Sequence, residues 1–140
     1  WPIAAESALT LQDLSEVALL LDWLDEHPPG HIPPVLRAEQ QRIRARLLAV
    51  TADPRTSSAF TVAVGALRDL GSPYHLAVGL LDQAEFLMAG DHSVADSPIV
   101  GEARAIAARL GARPLLDRVD RLTDGQLRRA DQALRPSSRT

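Results

Sequence analysis

Hydrophobic positions in this chain recur every three to four residues in one segment after another, the spacing that lines one face of a helix. Twice, about forty residues apart, the same order appears: an apolar-periodic segment, Leu-Gly, a proline, and a second apolar-periodic segment. In the first copy Phe60, Ala63, Leu67, Leu70 and Gly71 precede Pro73; in the second Val100, Ala103, Ala107, Leu110 and Gly111 precede Pro114. Glycine accepts the left-handed backbone that ends a helix, and proline suits a first helical turn, so each copy predicts a helix followed at once by a partner. Repetition at this period predicts an all-α chain of stacked helical hairpins forming an α-α superhelix.

The remaining pattern extends that picture in both directions. Leu11, Leu14, Val17, Ala18, Leu21 and Leu24 predict a first helix, capped by Thr10 or Asp13 and stopped at Pro28-Pro29-Gly30. From Pro33 or Pro34, the stripe Leu36, Gln40, Ile43, Leu47 and Val50 predicts a second, with Arg37, Arg42, Arg44 and Arg46 mostly on its opposite side. Asp53-Pro54 predicts a cap and a first-turn proline for the helix that runs through Phe60 to Gly71, and Ser72-Pro73 repeats the device for a helix through Leu76, Leu80, Leu81, Ala84 and Leu87 to Gly90. A polar connection spans Asp91 to Ser97. The fifth helix starts near Ile99 or Val100 and ends at Gly111; the sixth starts at Pro114 and carries Leu115, Leu116, Val119 and Leu122.

Superposing the odd-numbered helices aligns Val17, Leu20 and Leu24 with Phe60, Ala63 and Leu67, and with Val100, Ala103 and Ala107, which makes three hairpins. Leu127, Ala130, Ala133 and Leu134, closed by Pro136, predict a terminal helix that shields the last one, since an open-ended stack needs a cap. The domain expected is thus a single repeat array over residues 1–136, with a frayed tail at 137–140.

Composition sharpens this. Of 140 residues 46% are hydrophobic but only 4% aromatic, so the core is built mainly from Leu, Val and Ala. Cysteine is absent, which excludes disulfides, thiolate-bound zinc and a cysteine nucleophile and makes a cytoplasmic location the default. No segment approaches the ~20 consecutive apolar residues of a membrane span, and Trp1-Pro2-Ile3 lacks the basic flank of a secretion signal. The missing initiator methionine suggests a piece of a longer chain. Net charge is -3 with both signs interspersed, giving no footprint for nucleic acid or anionic lipid. All 15 basic residues are arginine, a bias better explained by coding composition than by a binding surface.

Few residues carry candidate chemistry. His27 and His31 have the i, i+4 spacing of helical metal ligands, but Pro28-Pro29-Gly30 between them prevents the helix, so no metal is expected. Tyr74 and His75 lie in the first turn after Pro73, where free N–H groups favour an anion; packing of Tyr74 across a hairpin, with His75 half exposed, is the preferred expectation. Asp22, Asp25 and Glu26, and the pair Asp117 and Asp120 beside Arg113, Arg118 and Arg121, read as charge-balanced solvated faces rather than catalytic carboxylate pairs. Among the arginines of the second helix Glu39 intervenes, and no aromatic residue is placed to stack on a base. A stack's working surface is expected on its concave side, which points to Thr61, Gly65 and Arg68 on one helix and Glu102 and Arg109 on another.

The runs Leu70-Gly71-Ser72-Pro73-Tyr74-His75-Leu76-Ala77, Glu102-Ala103-Arg104 and Leu110-Gly111-Ala112-Arg113-Pro114-Leu115-Leu116 resemble the C-terminal tetratricopeptide-like region of large bacterial signalling ATPases with nucleotide-cyclase-like or LuxR-type outputs. The likeness is best from about Asp53 to Leu122. It implies a TPR-like sensor or partner-binding arm of a regulator rather than its catalytic part. A chain without lysine cannot hold a Walker phosphate loop, and the full tetratricopeptide consensus is not present: the period exceeds 34 residues and no Trp-x-x-Leu-Gly-x-x-Tyr opening occurs. The expected function is a non-catalytic module, without cofactor, that binds a protein or peptide segment or other domains of its parent. An exposed repeat end would also offer a surface for homodimerisation, and a small-ligand sensor controlling a distant output domain is the alternative.

Overall fold

The computed structural model describes residues 1–90 and 92–135. The described residues form an all-α chain of seven helices, packed within each of two units in the manner of helical hairpins. It divides into two compact units, Trp1–Ser72 and Pro73–Thr140. The division falls between the two helices of the expected middle hairpin.

The first unit opens with α1 (Pro2–Thr10), which the hydrophobic pattern did not announce. Proline at its start needs no N–H partner, and Ala5, Ala8 and Leu9 are buried. The chain then turns through Gln12 at φ 57°, and Asp13, rather than Thr10, caps α2 (Leu14–Asp25) by accepting from the Glu16 N–H at 3.1 Å. Leu11, expected on the buried stripe, is therefore in the connection and 79% exposed. Val17, Leu21 and Ile43 join Ala5, Ala8 and Leu9 in one cluster, flanked by Trp1, whose indole N–H donates to the Leu20 carbonyl at 2.8 Å.

Helix α3 (Pro34–Val50) lies against α1, α2 and, most extensively, α4 (Thr56–Asp69). Pro54 does not occupy the first turn of α4: Asp53 and Pro54 form a preceding turn in which the Asp53 carboxylate accepts from the Arg55 N–H at 2.8 Å and pairs with its guanidinium. Those bonds to Arg55 hold the Asp53 carboxyl down to about 2. Thr56, Phe60, Ala63 and Leu67 are buried along α4, which stops at Gly71 with φ 70°. Left-handed backbone is ordinary for glycine and strained for other residues, so the predicted stop has its physical cause here.

The second unit contains α5 (Pro73–Ala89), α6 (Pro98–Leu110) and α7 (Arg113–Leu134). Ser97 caps α6 at 3.4 Å, and Gly111 closes it at φ 61°. Val100, Ala103, Ile106 and Ala107 are buried, in the register expected from the first copy of the repeat. The predicted sixth helix and terminal helix are one: α7 runs through Gly125, because a single interior glycine costs only about 1 kcal/mol and the backbone ladder continues across it. Its distal part does not cover the preceding helices as a shield would, since Leu127 and Leu134 are 63% and 80% exposed. The tail at 137–140 and Pro136 lie outside the described residues.

Candidate functional site

An open groove of about 480 Å³ lies in the first unit between α3 and α4. Pro34, Arg37, Ala38 and Gln41 form the α3 wall, spaced i, i+3, i+4, i+7; Val62, Ala66, Asp69 and Leu70 form the α4 wall, spaced i, i+4, i+7, i+8. Each wall spans about two turns, or ~10 Å of helix. Alanines at the middle of both walls are too short to fill the space between the helices, and Val62 stands at the rim with over half its surface exposed. The side chains of Gln41 and Asp69 have no hydrogen-bond partner among the described residues. An apolar floor with a few polar groups beside it can take an apolar side chain or one face of a helix.

The predicted site residues fall one helical stripe away. Thr61, Gly65 and Arg68 are exposed on α4, each one residue before Val62, Ala66 and Asp69, and so about 100° around the helix from the groove wall. Glu102 and Arg109 belong to α6 of the second unit, Glu102 half-buried and Arg109 exposed. A signal for the groove was present in the sequence: Val62, Ala66 and Leu70 form a second apolar stripe at i, i+4, i+8 beside the core stripe of Phe60, Ala63 and Leu67.

Of the α3 arginines Arg42 is buried, and Arg37, Arg44 and Arg46 are partly exposed and bonded to neighbouring helices. Arg42, 3% exposed, pairs with buried Glu39 at 2.7 Å and with Glu6 on α1. Arg46 also pairs with Glu6, Arg44 with Asp25 at 2.8 Å, and Arg37 donates to the His27 and Leu24 carbonyls at 2.8 and 3.4 Å, closing the end of α2. Gln40, buried, donates to Asp25 at 2.7 Å. The predicted opposition of an apolar stripe and a basic face is thus replaced by a polar layer joining α3 to α1 and α2.

Burial alone would raise the Glu6 carboxyl, but hydrogen bonds and charge from Arg42 and then Arg46 outweigh it and hold Glu6 below its ordinary 4.5. A group depressed in the fold adds stability above its unfolded value and loses it as pH falls through the folded value. Acidification through and below the ordinary carboxylate range is therefore expected to weaken the first unit, and Glu6→Gln to flatten that dependence, as urea melts over a falling pH series would measure.

In the second unit Arg118 joins α7 to α5 by donating to buried Asp82 at 2.8 Å and to Glu85 at 2.9 Å. Burial works against its charge, yet Glu85 and Asp82 more than compensate and raise its pKa. Asp120 pairs instead with Arg104 at 3.2 Å, so the expected neighbour pairing within α7 is replaced by contacts to other helices. Gln126 fastens the 92–97 connection by accepting from the Val94 and Ala95 N–H groups at 2.9 and 2.7 Å.

His27 shares its Nδ1 with the Trp23 carbonyl at 2.7 Å, and His31 is exposed beyond the Pro28-Pro29-Gly30 turn. No group of three or more His, Cys, Asp or Glu among the described residues is placed to hold a metal ion. Tyr74, 52% exposed, lies edge-on to His75 at 5.8 Å, and His75 is half-buried. No helix of the described residues is long and apolar enough to cross a membrane. Compared with protein-family models, with curated proteins and with solved structures, the chain matches none.

Proposed function

We propose that this chain is a non-catalytic helical module that mediates protein–protein or interdomain interaction, with the α3/α4 groove as its contact surface. The observation that carries this is the groove's form: open along two helical turns, apolar in its floor, and bordered by a few polar groups. A helix-in-groove contact uses just such i, i+4 anchors. A small-ligand site would instead be expected to enclose most of its ligand. The likeness of the Leu70–Ala77 and Glu102–Leu116 runs to the helical tails of signalling ATPases supports placing such a module in a bacterial regulator.

Selection of displayed helical peptides against the chain tests this. Binders are expected to share an apolar stripe and to lose at least about ten-fold in affinity to Val62→Arg, which puts a long charged side chain at the groove rim. Binders that tolerate Val62→Arg and Ala66→Arg would place the contact elsewhere. A compact metabolite that binds there with no helical peptide competing would favour the sensor alternative.

A further inference from the structure

The α1–α2 segment is electrically one-sided. Between Trp1 and Leu36 there are six carboxylates and no arginine or lysine. Arginines of α3 neutralise Glu6 and Asp25, and Asp13 is spent on its cap. Glu16 and Asp22 on α2 and Glu26 at its C-terminal cap remain exposed, with no ion-pair partner among the described residues.

These three carboxylates flank an apolar centre. Leu19 and Trp23, one helical turn apart, are 63% and 51% exposed. At 100° per residue Leu19 and Trp23 lie within about 40° of each other; Asp22 and Glu26 border them on one side and Glu16 on the other. The His27 ring lies 4.4 Å from that of Trp23 and supports the indole from the next turn. An aromatic and a leucine surrounded by charge of one sign match the anatomy of an interface hot spot with its polar rim.

We propose that the outward face of α2 is a second docking surface, and that its occupant is a basic amphipathic helix of another protein or domain. Its apolar stripe would cover Leu19 and Trp23, and its arginines or lysines would pair with Glu16, Asp22 and Glu26. The rim chooses the occupant: an acidic or neutral helix would leave three carboxylates desolvated without compensation, whereas a basic one is steered toward them and matched on contact. This surface is separate from the α3/α4 groove and does not depend on it.

The test uses a synthetic helix with leucines along one face and arginines beside them, titrated into the intact chain while the Trp23 indole N–H signal is followed by NMR. A scrambled peptide of identical composition serves as comparison. Shifts are expected at Trp23 and Leu19 of the parent chain, and calorimetric titration is expected to give affinity at least about ten-fold weaker for the scrambled peptide and for Trp23→Ala or Leu19→Ala, both checked for unchanged helicity. Neutralising the rim as Glu16→Gln/Asp22→Asn/Glu26→Gln is expected to cost about ten-fold at low salt and to flatten the salt dependence. Val62→Arg should leave this titration unchanged, which keeps it independent of the groove. Equal binding of the two peptides, or binding indifferent to Trp23→Ala and Leu19→Ala, would reduce the effect to unspecific charge attraction and overturn the proposal. So would concentration-dependent dimerisation lost in Trp23→Ala, because the occupant would then be a second copy.

Discussion

Replacing Arg42 by methionine is expected to destabilise the first unit by about 3–5 kcal/mol, the range for breaking a buried ion pair by removing one partner. The side chain of Glu39 is only 5% exposed and would keep its charge in an apolar layer without its guanidinium. Glu6 would lose one of its two arginines but retain Arg46 and partial access to water, so most of the cost resides at Glu39. The double substitution Glu39→Leu/Arg42→Met removes both charges and fills the same space with apolar atoms. It is expected to recover most of the loss, because the pair itself roughly balances desolvation against attraction. Urea melts of the two variants and the parent chain measure the difference. If Arg42→Met alone fell within about 0.5 kcal/mol of the parent, the Glu39 charge would not depend on Arg42 for its compensation.

Phe60→Ala is the second large effect, expected at about 3–5 kcal/mol. Phe60 is the largest of the side chains that are sealed from solvent, at 1% exposure on the core stripe of α4. With so few aromatic residues in the chain, its volume is not replaceable by small neighbours such as Ala63, and the cavity left adds to the lost transfer energy. A domain of this size holds only about 5–15 kcal/mol in total, so the variant is expected to open the first unit at moderate temperature. Differential scanning calorimetry would read a large fall in its melting temperature. A shift of a degree or two, within what about 0.5 kcal/mol produces, would show that α4 is not seated through this residue.

The parts of the fold legible in the sequence are those written in local chemistry. Gly71 and Gly111 end helices because their backbone is left-handed, and Pro73 opens one because its ring suits a first helical turn. The α1–α2 break was hidden because Gln12 adopts the left-handed conformation without being glycine, and Ala52 does the same after α3. The continuity of α7 was hidden for the opposite reason: Asp124-Gly125 resembles a stop, yet one glycine is too weak a breaker.

Long-range pairing explains the rest. Arg42 meets Glu6 across 36 residues and Arg118 meets Asp82 across 36, whereas sequence spacing reveals only neighbours three or four apart. Periodicity therefore places the arginines of α3 mostly opposite the apolar stripe, although Arg42 is among the most buried polar groups of the described residues. The groove was half legible. Its α4 wall is an apolar stripe in the sequence, but its α3 wall depends on which side of α3 meets α4, and periodicity does not encode that choice.

Intermolecular NOEs between the intact chain and a selected helical peptide test the groove assignment most directly. Contacts from the peptide's apolar side chains to the methyl groups of Val62, Ala66, Leu70 and Ala38 are the expected result. A peptide bound with its NOEs on the Thr61, Gly65 and Arg68 face, or on the second unit, would contradict the account.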